Sequence, residues 1–385
     1  MPAHNAARYL GATLDSVRGQ TFVGWEAVVV DDGSTDGTAA LAEEGMEDAR
    51  FRLVRQPPGG LARARNRGLA EARGGCIAFL DADDMWRPDY LARMLAALKA
   101  APDAPAAACG WQYVDSEGRP LPQRVVISSE AARRLGETIA WQNPLIPSGL
   151  VVRREAASTC GEFDPALSPT ADWDYVWRLT QLGALAWVAE ALVLYRTHPD
   201  SMSANIERME RDRERLLHKH LGPLAGTPEA WPPAARRSLA YTRFNAAIEL
   251  FSSGAEETGQ AKLRDAAGLW PPLANEPAIY YEIACAHQPK GYRGTVERLD
   301  LRRAEQALRA VLAGDAFARA DQRTAQGLAS LTLAQLARQA GRRPLAARFA
   351  LRAARQGTPS QRRAALMALA RSVLPRRRAT HSGAA

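Results

Sequence analysis

The spacing of apolar residues changes along the chain, and the changes divide it. Up to about residue 100, unbroken apolar runs alternate with stretches whose apolar residues recur every three or four positions. Ala27-Val28-Val29-Val30 and Cys76-Ile77-Ala78-Phe79-Leu80 are continuous runs, the pattern of strands buried on both faces. Phe51 to Arg55 predicts a shorter strand. Between these runs, Leu10, Leu14 and Val17 share one helical face behind a cap at Asn5. Leu61 to Ala72 predicts a helix stopped at Gly74-Gly75, and Pro88 opens a helix carrying Leu91, Leu95 and Leu98 on one side. Strand and helix in alternation predict an α/β domain with a largely parallel sheet.

After Pro102 the pattern loosens. Ala107 to Val114, Val125 to Ile127, Leu150 to Val152 and Trp187 to Tyr195 predict further strands, with a helix from about Asp172 to Leu182 before the last. From about Ala204 the strand signal stops. The remainder is rich in Ala, Leu and Arg with helical periodicity, broken at Gly222-Pro223, Trp231-Pro232-Pro233, Gln288-Pro289 and Gly341. These breaks predict three segments: an α/β domain over 1–204, paired helices over 205–374, and a disordered basic tail over 375–385. Leu331 to Arg355 resembles a tetratricopeptide-type hairpin, although no clean repeat of that length is present.

Charge follows the same division. Residues 1–204 hold 20 Lys and Arg against 26 Asp and Glu; residues 205–385 hold 30 against 16. The basic half could meet an anionic partner, including the inner face of a membrane, or could simply be a solvated helical surface. No basic motif interleaved with aromatic residues is present, so nucleic acid is not an expected partner. No run approaches the roughly 18 to 20 apolar residues of a membrane helix, and no basic-then-apolar leader opens the chain. Cys76, Cys109, Cys160 and Cys285 have no paired spacing and predict buried free thiols. Together these features predict a cytoplasmic protein.

Candidate chemistry sits at the ends of the two buried runs. One is followed by Asp31-Asp32-Gly33-Ser34, the other by Asp81-Ala82-Asp83-Asp84. Open α/β sheets bind ligands beyond the carboxyl ends of their strands. Residues i and i+2 of an extended chain point the same way, so Asp81 and Asp83 could share one ion. Hard oxygen ligands favour Mg²⁺ or Mn²⁺, usually with substrate phosphates completing the shell.

Four ordered motifs in residues 1–204 resemble family 2 glycosyltransferases. They are Pro2-Ala3-His4-Asn5 with Tyr9-Leu10, Val28 to Thr38, Leu61 to Gly68, and Phe79 to Asp84 with Pro88. The resemblance implies a GT-A fold, a Rossmann-like domain that binds a nucleotide-diphospho-sugar. It implies that Asp32 hydrogen-bonds the base, that Arg63 and Arg65 lie near the nucleotide, that Asp83 binds the metal, and that Asp81 contacts ribose or metal. A later segment, Gly161 to Asp164 followed by Ala171-Asp172-Trp173-Asp174, is similar to the acceptor side of the family. It implies Asp172 as catalytic base, with Asp174 competing and Ala171 where the family has Glu. Asp172 could equally cap the helix that follows. Tyr195 to Ser203 resembles the closing segment of the family and brings His198 toward the metal or diphosphate.

The resemblance therefore implies a metal-dependent inverting transferase. Its donor would be a UDP-, GDP- or dTDP-sugar, and its acceptor a glycan or lipid-linked hydroxyl used in cell-surface synthesis. The family opens with an apolar strand ahead of the Pro-x-x-Asn motif, and here Met1 directly precedes Pro2, so that strand is expected to be missing. A sugar nucleotidyltransferase would need a Gly-rich loop that these residues lack. A non-catalytic helical scaffold carrying a degenerate transferase domain is the remaining alternative.

Overall fold

The computed structural model describes residues 1–167, 170–198, 206–314, 317 and 322–373. The chain forms two compact units, Met1–Leu239 and Ala240–Ala385. The expected tail over 375–385 lies outside the described residues.

The first unit carries two sheets. In one, β1 (Pro2–Ala3), β2 (Ala27–Asp31) and β3 (Phe51–Arg55) run parallel in that order. In the other, β4 (Cys76–Ala78), β8 (Leu150–Arg153), β6 (Ala106–Val114), β9 (Ala186–Arg196) and β5 (Met85–Trp86) lie side by side, and β7 (Pro120–Val125) pairs with β6. Here only β6 and β9 are parallel; the other pairings are antiparallel. The expectation of a largely parallel sheet therefore holds for the first three strands and fails for the rest. The reason lies in the connections. The early strands are joined by the helices α1 (Ala7–Arg18) and α2 (Thr38–Gly45), long enough to carry the chain back for a parallel return. By contrast, β6 turns straight into β7 through Asp115 to Arg119, with Gly118 at φ +81°. That short hairpin also places β7 upstream of the expected Val125 to Ile127.

The strand expected to be missing is represented by Pro2 and Ala3, which run beside β2; the Val30 amide donates to the Met1 carbonyl at 2.8 Å and the Asp32 amide to the Ala3 carbonyl at 2.9 Å. Between the two sheets lies a cavity of about 390 Å³, lined by Val28 of β2 and by Ile77 and Ala78 of β4. Its walls include α3 (Leu61–Glu71) and α4 (Tyr90–Ala100).

The helical faces pack as their spacing predicts. Leu10, Leu14 and Val17 of α1 are buried, as are Leu91, Met94 and Leu98 of α4. The cap of α1 differs. Asn5 sits outside the helix at φ +48° and accepts from the Thr35 amide at 2.8 Å. The orphan amides of α1 are met from the loop before α2, by Thr38 Oγ1 on Ala6 at 2.7 Å and Asp36 on Ala7 at 3.2 Å. The β2–α2 turn is thereby tied to the start of the chain.

The unit is completed by the short helices α5 (Ser129–Arg133) and α6 (Leu135–Thr138), then α7 (Arg154–Cys160), α8 (Ala171–Leu182) and α9 (Ile206–Leu221). Helix α10 (Pro233–Ser252) spans the division between the units. The second unit holds α11 (Glu256–Leu269), α12 (Pro277–Cys285), α13 (Leu301–Ala313), α14 (Gln322–Gln339), α15 (Arg343–Gln356) and α16 (Pro359–Val373). Leu333, Leu336, Phe349 and Ala350 fill its core, and α14 turns into α15 at Gly341, φ +72°. All four cysteines are free; Cys76 is half-buried and the others are buried. Among the described residues no helix is long and apolar enough to cross a membrane.

Candidate active site

Beyond the carboxyl ends of β2 and β4 lies a cavity of about 660 Å³. Its lining brings together His4, Asp32, Arg65, Asp81, Asp83, Asp172 and His198, drawn from six separate stretches of sequence. The place is set by topology: β2 and β4 each end in a polar turn, and the two turns share one hollow.

Asp32 follows the last residue of β2 and is only 4% exposed. Its Oδ1 accepts from Gln56 Nε2 at 2.6 Å and from the Gly59 amide at 2.8 Å, and its Oδ2 accepts from the Gly60 amide at 2.7 Å. A carboxylate has about four acceptor positions, so one on Oδ2 remains. Most of this side chain therefore anchors the Gln56–Gly60 loop, a role that sequence reading did not give it. Gly60 needs its glycine, since the entry to α3 passes through φ +87°.

The two arginines of α3 part company. Arg65 is 5% exposed and lines the cavity; Arg63 is exposed and is absent from the lining. Two residues of helix rotate a side chain by about 200°, which puts them on opposite faces. One guanidinium nitrogen of Arg65, Nη2, donates to both oxygens of Asp81, at 2.7 and 3.0 Å. Asp81 thus faces a fixed positive charge.

The remaining carboxylates of the turn have distinct partners. Asp83 is partly exposed, and its Oδ2 lies 2.9 Å from His198 Nε2. The His198 ring is buried against Tyr9, with centroids 4.9 Å apart, and among the described residues its Nδ1 has no hydrogen-bond partner. Asp84 is 2% exposed; it accepts from Ser148 Oγ at 2.6 Å and from the Arg196 amide at 3.1 Å. Burial, and then the nearby charges of Asp83 and Asp81, push its pKa well above the usual carboxylate range. Ser148 Oγ also accepts from the Asp81 amide at 3.2 Å, so one hydroxyl spans the turn.

Among the described residues no three His, Cys, Asp or Glu side chains converge as a ready cation site. Asp83 and His198 supply one oxygen and one nitrogen side by side. Such a pair fits a divalent ion whose other positions go to phosphate oxygens and water, and does not form a closed protein cage.

Asp172 is the second residue of α8, and Thr170 holds the cap position, so the capping alternative does not apply. The carboxylate accepts from the Trp173 amide at 2.8 Å and faces the cavity. Burial raises its pKa, opposed by the nearby Arg65 charge. Asp174 is placed differently: fully buried, outside the lining, and bonded to Arg178 at 2.6 Å, His220 at 2.8 Å and Lys219 at 3.1 Å. Burial alone would raise its pKa, but His220, Arg178 and Lys219 together hold it near 2. Its stabilising effect is thus fully present above the unfolded value of 3.8 and lost as pH falls toward 2. Asp174→Asn is expected to cost roughly 2 kcal/mol at neutral pH and to flatten the acid limb of stability below pH 4. Thermal melts across pH would show it; an unchanged melting profile would refute this assignment.

Several lining residues escaped sequence reading. His4 holds the Asp32 carbonyl through Nδ1 at 2.9 Å, and Tyr195, Arg208 and Met209 complete the wall. Arg208 and Met209 belong to α9, which is held on α8 by the stacked rings of Trp177 and His220, 4.2 Å apart. Pro199 to Ser203 of the expected closing segment lie outside the described residues.

Residues 1–159 match Glycosyl transferase family 2. This segment belongs to that family. The family 2 segment contains Asp32, Arg63, Arg65, Asp81 and Asp83, while Asp172 and His198 lie beyond it. Its mixed α/β architecture is the GT-A arrangement that membership implies. An uncharacterized glycosyltransferase of Nostoc sp. is 32% identical over 203 residues, covering 51% of this chain and 62% of its own. The chain thus spans less than two thirds of that relative. A UDP-Glc:alpha-D-GlcNAc-diphosphoundecaprenol beta-1,3-glucosyltransferase of Escherichia coli is 42% identical over 87 residues, 22% of this chain and 34% of its own. Among solved structures, residues 1–349 of Staphylococcus aureus TarS superpose with a TM-score of 0.49 at 17% identity, covering 85% of this chain and 88% of that one.

Proposed function

We propose that the first unit transfers a sugar from a nucleotide-diphospho-sugar to an acceptor hydroxyl with inversion, using Mg²⁺ or Mn²⁺. The observation that carries the reading is the convergence of Asp32, Arg65, Asp81, Asp83, Asp172 and His198 on one cavity within a family 2 domain. Asp83 and His198 would hold the cation, and Asp81 would contact the ribose or the cation. When bound, the ion would neutralise charge on the departing nucleoside diphosphate. The residual acceptor position on Asp32 suits an N–H of the base. Arg65, fixed by Asp81, presents positive charge toward the diphosphate, whereas the exposed position of Arg63 gives it at most an outer contact.

Asp172 would take the proton from the acceptor hydroxyl as that oxygen attacks the anomeric carbon opposite the leaving group. A single displacement inverts the centre, the geometry that inverting glycosidases use with water. Burial raises the pKa of Asp172 and so strengthens it as a base. The activity of the Escherichia coli relative, glucosyl transfer from UDP-Glc to a diphosphoundecaprenol-linked sugar, favours a UDP-sugar donor and a lipid-linked acceptor used in cell-surface glycan synthesis. Working on such an acceptor would make the chain a cytoplasmic protein that visits the inner membrane face.

Incubating the full chain with UDP-, GDP- and dTDP-sugars, with and without Mn²⁺, tests the reading. Metal-dependent release of one nucleoside diphosphate is expected. Failure with every donor would favour the non-catalytic scaffold instead.

A further inference from the structure

Acidic residues stop at Asp321. Residues 322–385 contain 13 arginines and no Asp, Glu or Lys. A run of this length without an acidic side chain cannot neutralise itself; among the described residues Glu305 of α13 reaches α15, pairing with Arg352 at 2.9 Å. Helices α15 and α16 bury one face through Ala346, Phe349, Ala353 and Ala365. Their outward faces carry the remaining arginines in helical register. On α15, Arg348, Leu351 and Arg355 recur at i, i+3 and i+7; on α16, Arg363, Met367 and Arg371 recur at i, i+4 and i+8, beside Arg362 and Leu366. All eight side chains are exposed, including Leu351 at 45%, Leu366 at 58% and Met367 at 56%.

Aliphatic side chains set among arginines form a particular kind of surface. Water favours covering them, and arginine stems can lie along apolar matter while their heads stay in contact with anions. We propose that the α15–α16 face is a docking surface for an anionic lipid bilayer, with the arginines on headgroup phosphates and Leu351, Leu366 and Met367 at the acyl boundary.

The competing occupants fit less well. Single-stranded nucleic acid is typically bound with its bases stacked on aromatic platforms, and the one aromatic residue of the two helices, Phe349, is buried; duplex would use the arginines but leave Leu351, Leu366 and Met367 uncovered. Two copies of a face with no carboxylate would repel each other. The proposal deepens the reading of a lipid-linked acceptor and rests on it for its role in the cell. Its test is independent, because binding to vesicles needs neither donor nor transfer.

The test is co-sedimentation of the full chain with vesicles of phosphatidylcholine alone or mixed equally with phosphatidylglycerol. Binding is expected only to the mixed vesicles and is expected to weaken with added salt. The triple substitution Arg348→Gln, Arg355→Gln and Arg363→Gln is expected to weaken it about 100-fold. Leu351→Ser with Met367→Ser is expected to weaken binding at high salt, where the apolar contribution remains. All three arginines are exposed, and circular dichroism of the variants confirms that the helices persist. Equal binding to both vesicle types, or a triple variant that binds like the parent, would overturn the proposal. So would absent vesicle binding accompanied by salt-sensitive binding to labelled RNA, or by a dimer abolished in the serine variant. If vesicles are bound but no donor panel shows transfer, the docking surface stands and the catalytic reading falls.

Discussion

Replacing Asp83 by Asn is expected to lower kcat/KM for sugar transfer about 1,000-fold while leaving the fold intact. The expectation follows from how the three aspartates of one turn are engaged. Asp84 is buried and fixed by Ser148 and the Arg196 amide, so it serves the turn. Asp81 is held by Arg65. Asp83 is partly exposed, and its carboxylate meets His198 Nε2 at 2.9 Å. It is the carboxylate best placed to give a charge to a cation. Loss of that charge should appear first in Mn²⁺ affinity, measured by calorimetry in the presence of nucleoside diphosphate. His198→Ala is expected to follow with a smaller loss, about 10- to 100-fold, since it supplies a neutral donor. Undiminished Mn²⁺ binding and transfer in Asp83→Asn would refute the assignment.

Legibility depended on how far apart in sequence the interacting groups lie. The Asp31-Asp32 and Asp81–Asp84 clusters could be placed because each ends a buried apolar run, a local signal. The buried arginine of α3 was separable from its neighbour by helix rotation alone. Ser148 was not readable: its partners, Asp81 and Asp84, lie 67 and 64 residues away. The capping of α1 by Asp36 and Thr38 is non-local in the same way, whereas Asn5 satisfied the local rule and was used elsewhere. The sheet was misjudged beyond β3 because an apolar run announces a strand without its direction. For β7 the direction followed from the tight β6–β7 turn at Gly118. Arg208 and Met209 were hidden because α9 looks, by composition, like the basic helices after it. Contacts distant in sequence, the stacking of His220 on Trp177 and the ion pairs of Lys219 and His220 with Asp174, attach it to α8.

Asp172→Asn is expected to reduce kcat by 100- to 10,000-fold, the usual range for removing a general base, with little change in donor affinity. Asp172 and Asp174 are two residues apart on α8, and the structure separates their roles. Asp174 is sealed by Arg178, His220 and Lys219. Asp172 opens into the cavity, so Asp174→Asn should keep near-parental kcat once the folded fraction is corrected. The pH profile adds a second readout. A base must be ionised to act, so parental kcat should fall as pH drops through the Asp172 pKa, which burial has raised above the ordinary carboxylate value. The same shift has an opposite sign for stability. A raised carboxylate pKa gives its full stabilising contribution below the unfolded value and loses it as pH rises through the folded one. Asp172→Asn should therefore abolish the acid limb of activity and, at neutral pH, leave the protein as stable as the parent or more so. A variant that loses activity and stability together would mark Asp172 as a structural residue. A variant that keeps full activity would move the base elsewhere in the cavity.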